Sequence, residues 1–251
     1  MGRIVTLLNQ KGGVGKTTVT LGLASAAAAA GHTVLVVDLD PQASSTWVLG
    51  IDPADVEVSS AEVLGKASPH DAIVETSWSA RIHLLPASNR LQLREHGKPK
   101  RLRGALEQVA ESYDAVLIDC PPSLGNLTTS GLTAADHAVI VVEPSALGLR
   151  GIAAVADLID EVWDSHNADL DLAGIIVNKV PGVSGEADRR YDELARIVGK
   201  SAIWQPVIPH RVIVNQATAE RRPIHAYGAR SADVSIAFDQ LWKKLRRKTR
   251  A

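Results

Sequence analysis

Short, continuous apolar runs alternate with longer stretches of helical spacing along most of the chain. Ile4 to Leu8, Thr33-Val-Leu-Val-Val-Asp38, Arg81-Ile-His-Leu-Leu-Pro86, Ala115 to Ile118, Ala138 to Glu143 and Leu172 to Val177 are β-branched-rich and bounded by polar residues or proline. That is how strands covered on both faces read. Between them, Thr17 to Ala30 is a run of Ala, Leu and Val ending at Gly31, a suitable C′ glycine. Thr128 to Ala135 also reads as a helix, and Leu147 to Trp163 places Ile152, Val155, Ala156, Ile159 and Val162 on one side. A polar loop is expected at 182–190, leading into a helix from Arg189 to Val198. A last helix at about 232–250 has Ile236, Leu241 and Leu245 as its apolar side. Trp47, Leu49 and Ile51-Asp52-Pro53 look like a packed loop, and Ser60 to Leu64 and His70 to Val74 like short helices. Another helix begins at Leu91, breaks near Gly97-Lys98-Pro99 and resumes from Arg101 to Glu111. The repeated βαβ order predicts one α/β domain over 1–251, with a mostly parallel twisted sheet flanked by helices on both faces.

At 251 residues the chain suits one large domain with a full core. A net charge of −1 leaves room for a local basic patch. The single cysteine, Cys120, excludes an intramolecular disulfide framework and a pair of cluster ligands from one chain. No apolar run reaches the length of a membrane span and no leader pattern precedes the first strand, so a cytoplasmic location is expected.

The chemistry concentrates after the first strand, in Asn9-Gln10-Lys11-Gly12-Gly13-Val14-Gly15-Lys16-Thr17-Thr18. A glycine loop opening a helix bares backbone N–H groups at the positive end of the helix dipole, where polyphosphates bind. Lys16 supplies charge to the β- and γ-phosphates, and the Thr17 hydroxyl is a ligand for Mg²⁺. The spacing is almost G-x-x-x-x-G-K-[ST], but Gln10 stands where the first glycine belongs and Lys11 follows it. A dinucleotide fingerprint fails because its third glycine position is Thr18. Asp38-Leu39-Asp40-Pro41-Gln42 brings two carboxylates to the C-terminal end of a strand, and Asp119 ends another before Cys120-Pro121-Pro122. Leu172 to Asn178-Lys179-Val180-Pro181 is a strand ending in Asn-Lys. The acceptor that guanine-specific sites place two residues after Lys179 is here a proline, so ATP is favoured over GTP.

K-G-G-x-G-K-T-T at Lys11 to Thr18 resembles the deviant Walker A motif of the ParA/MinD superfamily, and Asn9-Gln10 is most similar to its ParA (Soj) branch. The likeness extends through D-x-D-P-Q at Asp38 to Gln42, the aspartate-terminated strand at Asp119, Val207-Ile-Pro209-His210-Arg211 and Arg222-Pro223-Ile224. It implies a P-loop ATPase in which Gly12, Gly13, Val14, Gly15, Lys16, Thr17 and Thr18 bind nucleotide phosphates. Lys11 would reach a partner's nucleotide across a homodimer that sandwiches ATP. Asp40 would place the attacking water, and Thr17, Asp40 and Asp119 would organise Mg²⁺, with Asp38 supporting that shell and the loop. Asn178 would read adenine beside Pro209 and Arg211. Cys120 needs no role as a nucleophile, since the motif accounts for its position.

The same resemblance implies non-specific DNA binding, a ParB-like activating partner and a nucleoid-associated location. DNA-binding members carry arginines where this chain aligns Val183 and Ile213. Substitutes are Arg189, Arg190, Arg221 and Arg222, and the basic run of Lys243, Lys244, Arg246, Arg247, Lys248 and Arg250. Lys98, Lys100, Arg101 and Arg103 read as a solvated face. Two other readings stay open: a MinD-like membrane-associated positioning ATPase, and an amide-forming ligase that phosphorylates a carboxylate.

Overall fold

The computed structural model describes residues 2–249 and, within them, the side chains of all but 146–150. The strands are β1 (Arg3–Leu8), β2 (Val34–Asp38), β3 (Val74–Glu75), β4 (Ile82–Leu85), β5 (Ala115–Asp119), β6 (His137–Val142) and β7 (Asp171–Val177). They form one seven-stranded sheet in the order β3-β4-β2-β5-β1-β6-β7, parallel throughout except where β3 pairs with β4. The helices are α1 (Lys16–Ala29), α2 (Ser44–Val48), α3 (Ser60–Leu64), α4 (Pro69–Ala72), α5 (Lys100–Leu106), α6 (Asn126–Ala134), α7 (Ala146–Ser165), α8 (Gly185–Val198), α9 (Val212–Ala219) and α10 (Ala232–Lys248).

The sheet separates two apolar cores, and alternate residues of β1 feed each one. Ile4 and Leu8 join Leu102, Leu127, Val155 and Leu194 on one side. Val5 and Leu7 join Leu23, Phe238, Leu241 and Trp242 on the other. There α1 and α10 approach so closely that a Cβ at Gly22 would lie 2.2 Å from Phe238 Cζ. With β1 flanked by β5 and β6, the strand order reverses around it, and the loop after β1 opens at the edge where such sheets bind ligands. Register brings Leu7 opposite Asp119 and Asp38 opposite Asp119, so two carboxylates reach that edge in one row.

Several local expectations need correction. The segment read as a packed loop around Trp47 contains α2. Helix α8 starts at Gly185, inside the expected polar loop: Ser184 Oγ accepts from Ala187 N, and Glu186 and Asp188 lie in the first turn. Helix α9 was not expected, because its β-branched start hides a helix that buries only Ala217 among its residues. Val74 begins a strand rather than ending a helix, and α5 stops at Leu106, well before Glu111. On α10, Ile236 is 53% exposed, and the buried face is Val234, Ala237, Phe238, Leu241, Trp242 and Leu245. Arg250 lies outside the described residues.

Candidate active site

Between β1 and α1 the chain turns through two left-handed glycines, Gly13 (φ 81°) and Gly15 (φ 90°). Only glycine adopts this conformation without steric cost. Neighbouring strands pin the loop from outside. Asn9 donates to Val141 O at 2.6 Å and accepts from Lys11 N at 2.9 Å. Asn178 Nδ2 donates to Val14 O at 2.9 Å, and Lys179 Nζ to Gly13 O at 2.5 Å. The result is a cavity of about 300 Å³ lined by Gly12, Gly13, Gly15, Lys16, Thr17 and Thr18, with Asp40, Ser44, Pro122 and Lys179 around them. Val14 faces the opposite way, fully buried in the core.

The carboxylates divide their work. Asp38 Oδ1 accepts from Asp40 N, and Oδ2 accepts from both Thr46 N and Thr46 Oγ1. Asp38 therefore fixes the segment after β2, the loop part of the role expected for it. Asp119 Oδ2 accepts from Thr17 Oγ1 and from Ser45 Oγ, each at 2.7 Å. Its Oδ1 is buried with no hydrogen-bond partner among the described residues. Burial raises the Asp119 pKa to about 6 against the hydrogen bonds from Ser45 and Thr17. Burial and the Asp119 charge raise Asp38 to about 8. Burial lowers the pKa of Lys16, opposed by the charge of Asp119.

An orphaned carboxylate oxygen beside a threonine hydroxyl is what a divalent cation would satisfy. Among the described residues no group of three or more His, Cys, Asp or Glu could hold a metal alone. Magnesium characteristically takes one or two protein oxygens plus substrate phosphates and water, so Thr17 and Asp119 fit it. Asp40 lines the same cavity, its Oδ1 accepting from Gln42 N at 2.9 Å. Cys120 is buried, and burial raises its thiol pKa, which keeps it protonated.

Lys11 is not among the residues lining the cavity. Its amine pairs with Glu143 at the end of β6, and with Ser145 Oγ at 3.2 Å. Burial would raise the Glu143 pKa, but hydrogen bonds from Lys11 and Ser145 hold it below the usual glutamate value. Glu143, Ser45 and Lys179 were not given roles from the sequence; Glu143 and Lys179 follow strand ends at this edge, which was the available signal, whereas Ser45 lies inside α2.

The expected adenine contacts gather at one edge. Pro209 bridges to Val180, two residues beyond Asn178, and Arg211 begins α9 with its Nε on Asp233 at 2.6 Å. The basic candidates are dispersed. Arg189 pairs with Glu186, and Arg190 with both Glu186 and Glu193. Arg221 lies over the Trp47 ring, and Arg222 over Tyr227 and 4.0 Å from Glu220. On α10, Lys243, Arg246 and Arg247 line a cleft of about 520 Å³ with His32 and Gln240, while Lys244 sits over Trp204.

A family model described as an AAA domain matches residues 2–172. The chain is 33% identical over 245 residues to the sporulation initiation inhibitor protein Soj of Bacillus subtilis, covering 95% of this chain and 96% of that protein. It is 32% identical to the chromosome partitioning protein ParA of Caulobacter vibrioides, covering 98% of this chain and 92% of the relative. Among solved structures, the cobyrinic acid a,c-diamide synthase of Mycobacterium smegmatis with bound ADP and magnesium superposes with a TM-score of 0.85 at 32% identity, over 98% and 95% of the two chains. The cell division ATPase MinD of Pyrococcus furiosus gives a TM-score of 0.80 at 27% identity, over 98% and 99%. With the glycine loop, its lysines and the magnesium-compatible Thr17–Asp119 pair in place, the chain belongs to the ParA/Soj family, P-loop ATPases of the ParA/MinD type that hydrolyse ATP with Mg²⁺.

Proposed function

We propose that this ATPase dimerises around ATP, holds non-specific DNA in that state and releases it on hydrolysis, so positioning DNA or another cargo. The observation that carries the reading is Lys11: it stands on the phosphate loop, yet its amine points to Glu143 and Ser145 rather than into its own chain's phosphate cavity. A cation kept off its own site is available to a second copy. Lys16 and the loop amides would hold the phosphates, and Asp40 would orient water for in-line attack. Mg²⁺, held by Thr17 and Asp119, would neutralise charge on the phosphate oxygens. Asn178 supports ATP as the substrate: with Nδ2 committed to Val14 O, its remaining amide atom is an acceptor. That acceptor suits the exocyclic amine of adenine.

Dimer formation in the ATP state alone makes nucleotide a population switch. A ParB-like partner would accelerate hydrolysis, and the protein would be cytoplasmic and associated with the nucleoid. The α10 cleft supports DNA contact by clustering Lys243, Arg246 and Arg247, the basic side chains that phosphate binding needs. Arg189, Arg190, Arg221 and Arg222 join that surface only by leaving their present partners. The MinD-like reading is weaker here because the apolar face of α10 packs inside the protein rather than facing outward.

The test is retention of non-specific duplex DNA by Asp40→Ala with ATP, with ADP and without nucleotide. Retention with ATP alone, lost on Lys243→Glu with Arg247→Glu, supports the reading; retention indifferent to nucleotide overturns it. The similarity to the cobyrinic acid a,c-diamide synthase of Mycobacterium smegmatis favours a second reading, a ligase that phosphorylates a small carboxylate. Turnover that strictly requires such a carboxylate would select it.

A further inference from the structure

Lys179, the second residue of the Asn-Lys segment that follows β7, was given no role of its own above, yet it reaches the phosphate loop. Its backbone is left-handed (φ 57°), a conformation that strains a residue with a Cβ. In an extended strand, consecutive side chains point to opposite faces. Here Asn178 and Lys179 act on the same side and donate to consecutive carbonyls of the loop, Val14 O at 2.9 Å and Gly13 O at 2.5 Å. The left-handed turn is what lets neighbouring side chains grip neighbouring peptides. Gly13 itself is left-handed (φ 81°), and a Cβ placed there would meet nothing within 4 Å. No side-chain packing would hold a residue at this position, and the Lys179 amine supplies a hydrogen bond to its carbonyl.

A trans peptide carries its C=O and N–H in opposite directions. Anchoring the Gly13 carbonyl on Lys179 fixes the direction of the Val14 N–H in the same peptide, and the direction of its amides is what a phosphate-cradling loop depends on. Lys179 also lines the cavity and adds its charge to that of Lys16.

We propose that Lys179 is a positioning residue for nucleotide phosphates: it holds the Gly13–Val14 peptide in its anion-binding orientation before nucleotide arrives. The inference rests on the nucleotide reading of the cavity.

The test compares Lys179→Met, Lys179→Gly and Lys179→Arg with the parent and with Lys16→Ala, in full-length chain. Calorimetry measures Mg-ADP affinity, thermal melting the nucleotide-free fold, and hydrogen exchange the amides of Val14 and Gly15. Lys179→Met is expected to weaken Mg-ADP about tenfold, as loss of one charge-assisted hydrogen bond does, and to speed exchange at Val14. Lys179→Gly relieves the left-handed strain, so it should melt at or above the parent temperature while binding Mg-ADP as poorly as Lys179→Met. Lys179→Arg should recover most of the affinity. A merely structural residue would lose stability and affinity together, and that result would overturn the proposal. So would parental affinity in Lys179→Met while Lys16→Ala fails to bind, a pattern that spares the nucleotide reading. If the parent itself does not bind Mg-ADP, both fall.

Discussion

Gly15→Ala puts the geometry of the site to a quantitative test. Gly15 has φ 90° and ψ 36°, so any Cβ there meets the following carbonyl, at about 1–2 kcal/mol. The added methyl would also lie 2.3 Å from Asn178 Nδ2, which must move and give up its bond to Val14 O. Asn178 is 2% exposed, and a buried donor left unpaired costs about 1–3 kcal/mol. The two effects together amount to about 2–5 kcal/mol. For a domain of this size that lowers the melting temperature by roughly 5–15 °C. Nucleotide affinity should fall at the same time, because the strained peptide is part of the phosphate cradle. Calorimetric melting of parent, Gly15→Ala, Asn178→Gly and the double variant separates the terms. Removing the amide should rescue the collision but not the backbone strain, leaving a favourable coupling of about 1 kcal/mol or more. A Gly15→Ala chain that melts with the parent and binds Mg-ADP normally would refute the reasoning.

Three other expectations follow from the same contacts. Asp38 (about 8) and Asp119 (about 6) titrate above the 3.8 of an ordinary aspartate, so the folded chain keeps protons that the unfolded chain releases. Without metal its stability should therefore fall as pH rises from 5 to 8. Mg-ADP should flatten that slope, and a metal-free melting temperature that rises across the same interval would contradict it. Gly22→Ala gains about 1 kcal/mol of helix propensity but drives a methyl to 2.2 Å from Phe238 Cζ, an overpacking cost of about 1–3 kcal/mol. Denaturant unfolding should show a net loss that Phe238→Leu recovers, and a stabilised single variant would show that the helices part freely. Glu143→Gln removes the carboxylate that holds Lys11, so ATP-dependent self-association should begin at lower protein concentration in sedimentation velocity. A requirement for higher concentration would mean that Glu143 serves the assembled state.

Much of this arrangement was readable from residue order because both strong signals are local. Continuous apolar runs marked six of the seven strands, the exception being the two-residue β3, which has too few positions to show a period. Lys16, Thr17 and Asp119 were singled out from spacing and strand ends, and Lys11 from the resemblance to the ParA/MinD superfamily. What was not readable depended on tertiary contacts. Helix α9 buries only Ala217 and half-buries Ile213 and Val214, an apolar stripe too short to show a period, while α8 is announced by its cap and acidic first turn rather than by periodicity. Ile236 looked like core, but the rotation of α10 is set by Phe238 fitting against Gly22, a pairing no linear pattern reveals. Lys179 and Glu143 were legible as strand-end residues, yet their partners, Gly13 and Lys11, lie more than a hundred residues away in the chain.

The central claim is that the second lysine of the loop, Lys11, serves another copy of the chain. Sedimentation equilibrium of Asp40→Ala with Mg-ATP addresses it directly. The mass should double with ATP, stay single with ADP, and stay single with ATP once Lys11→Ala is added. A single-chain mass with saturating Mg-ATP, or a dimer indifferent to Lys11, would contradict the account.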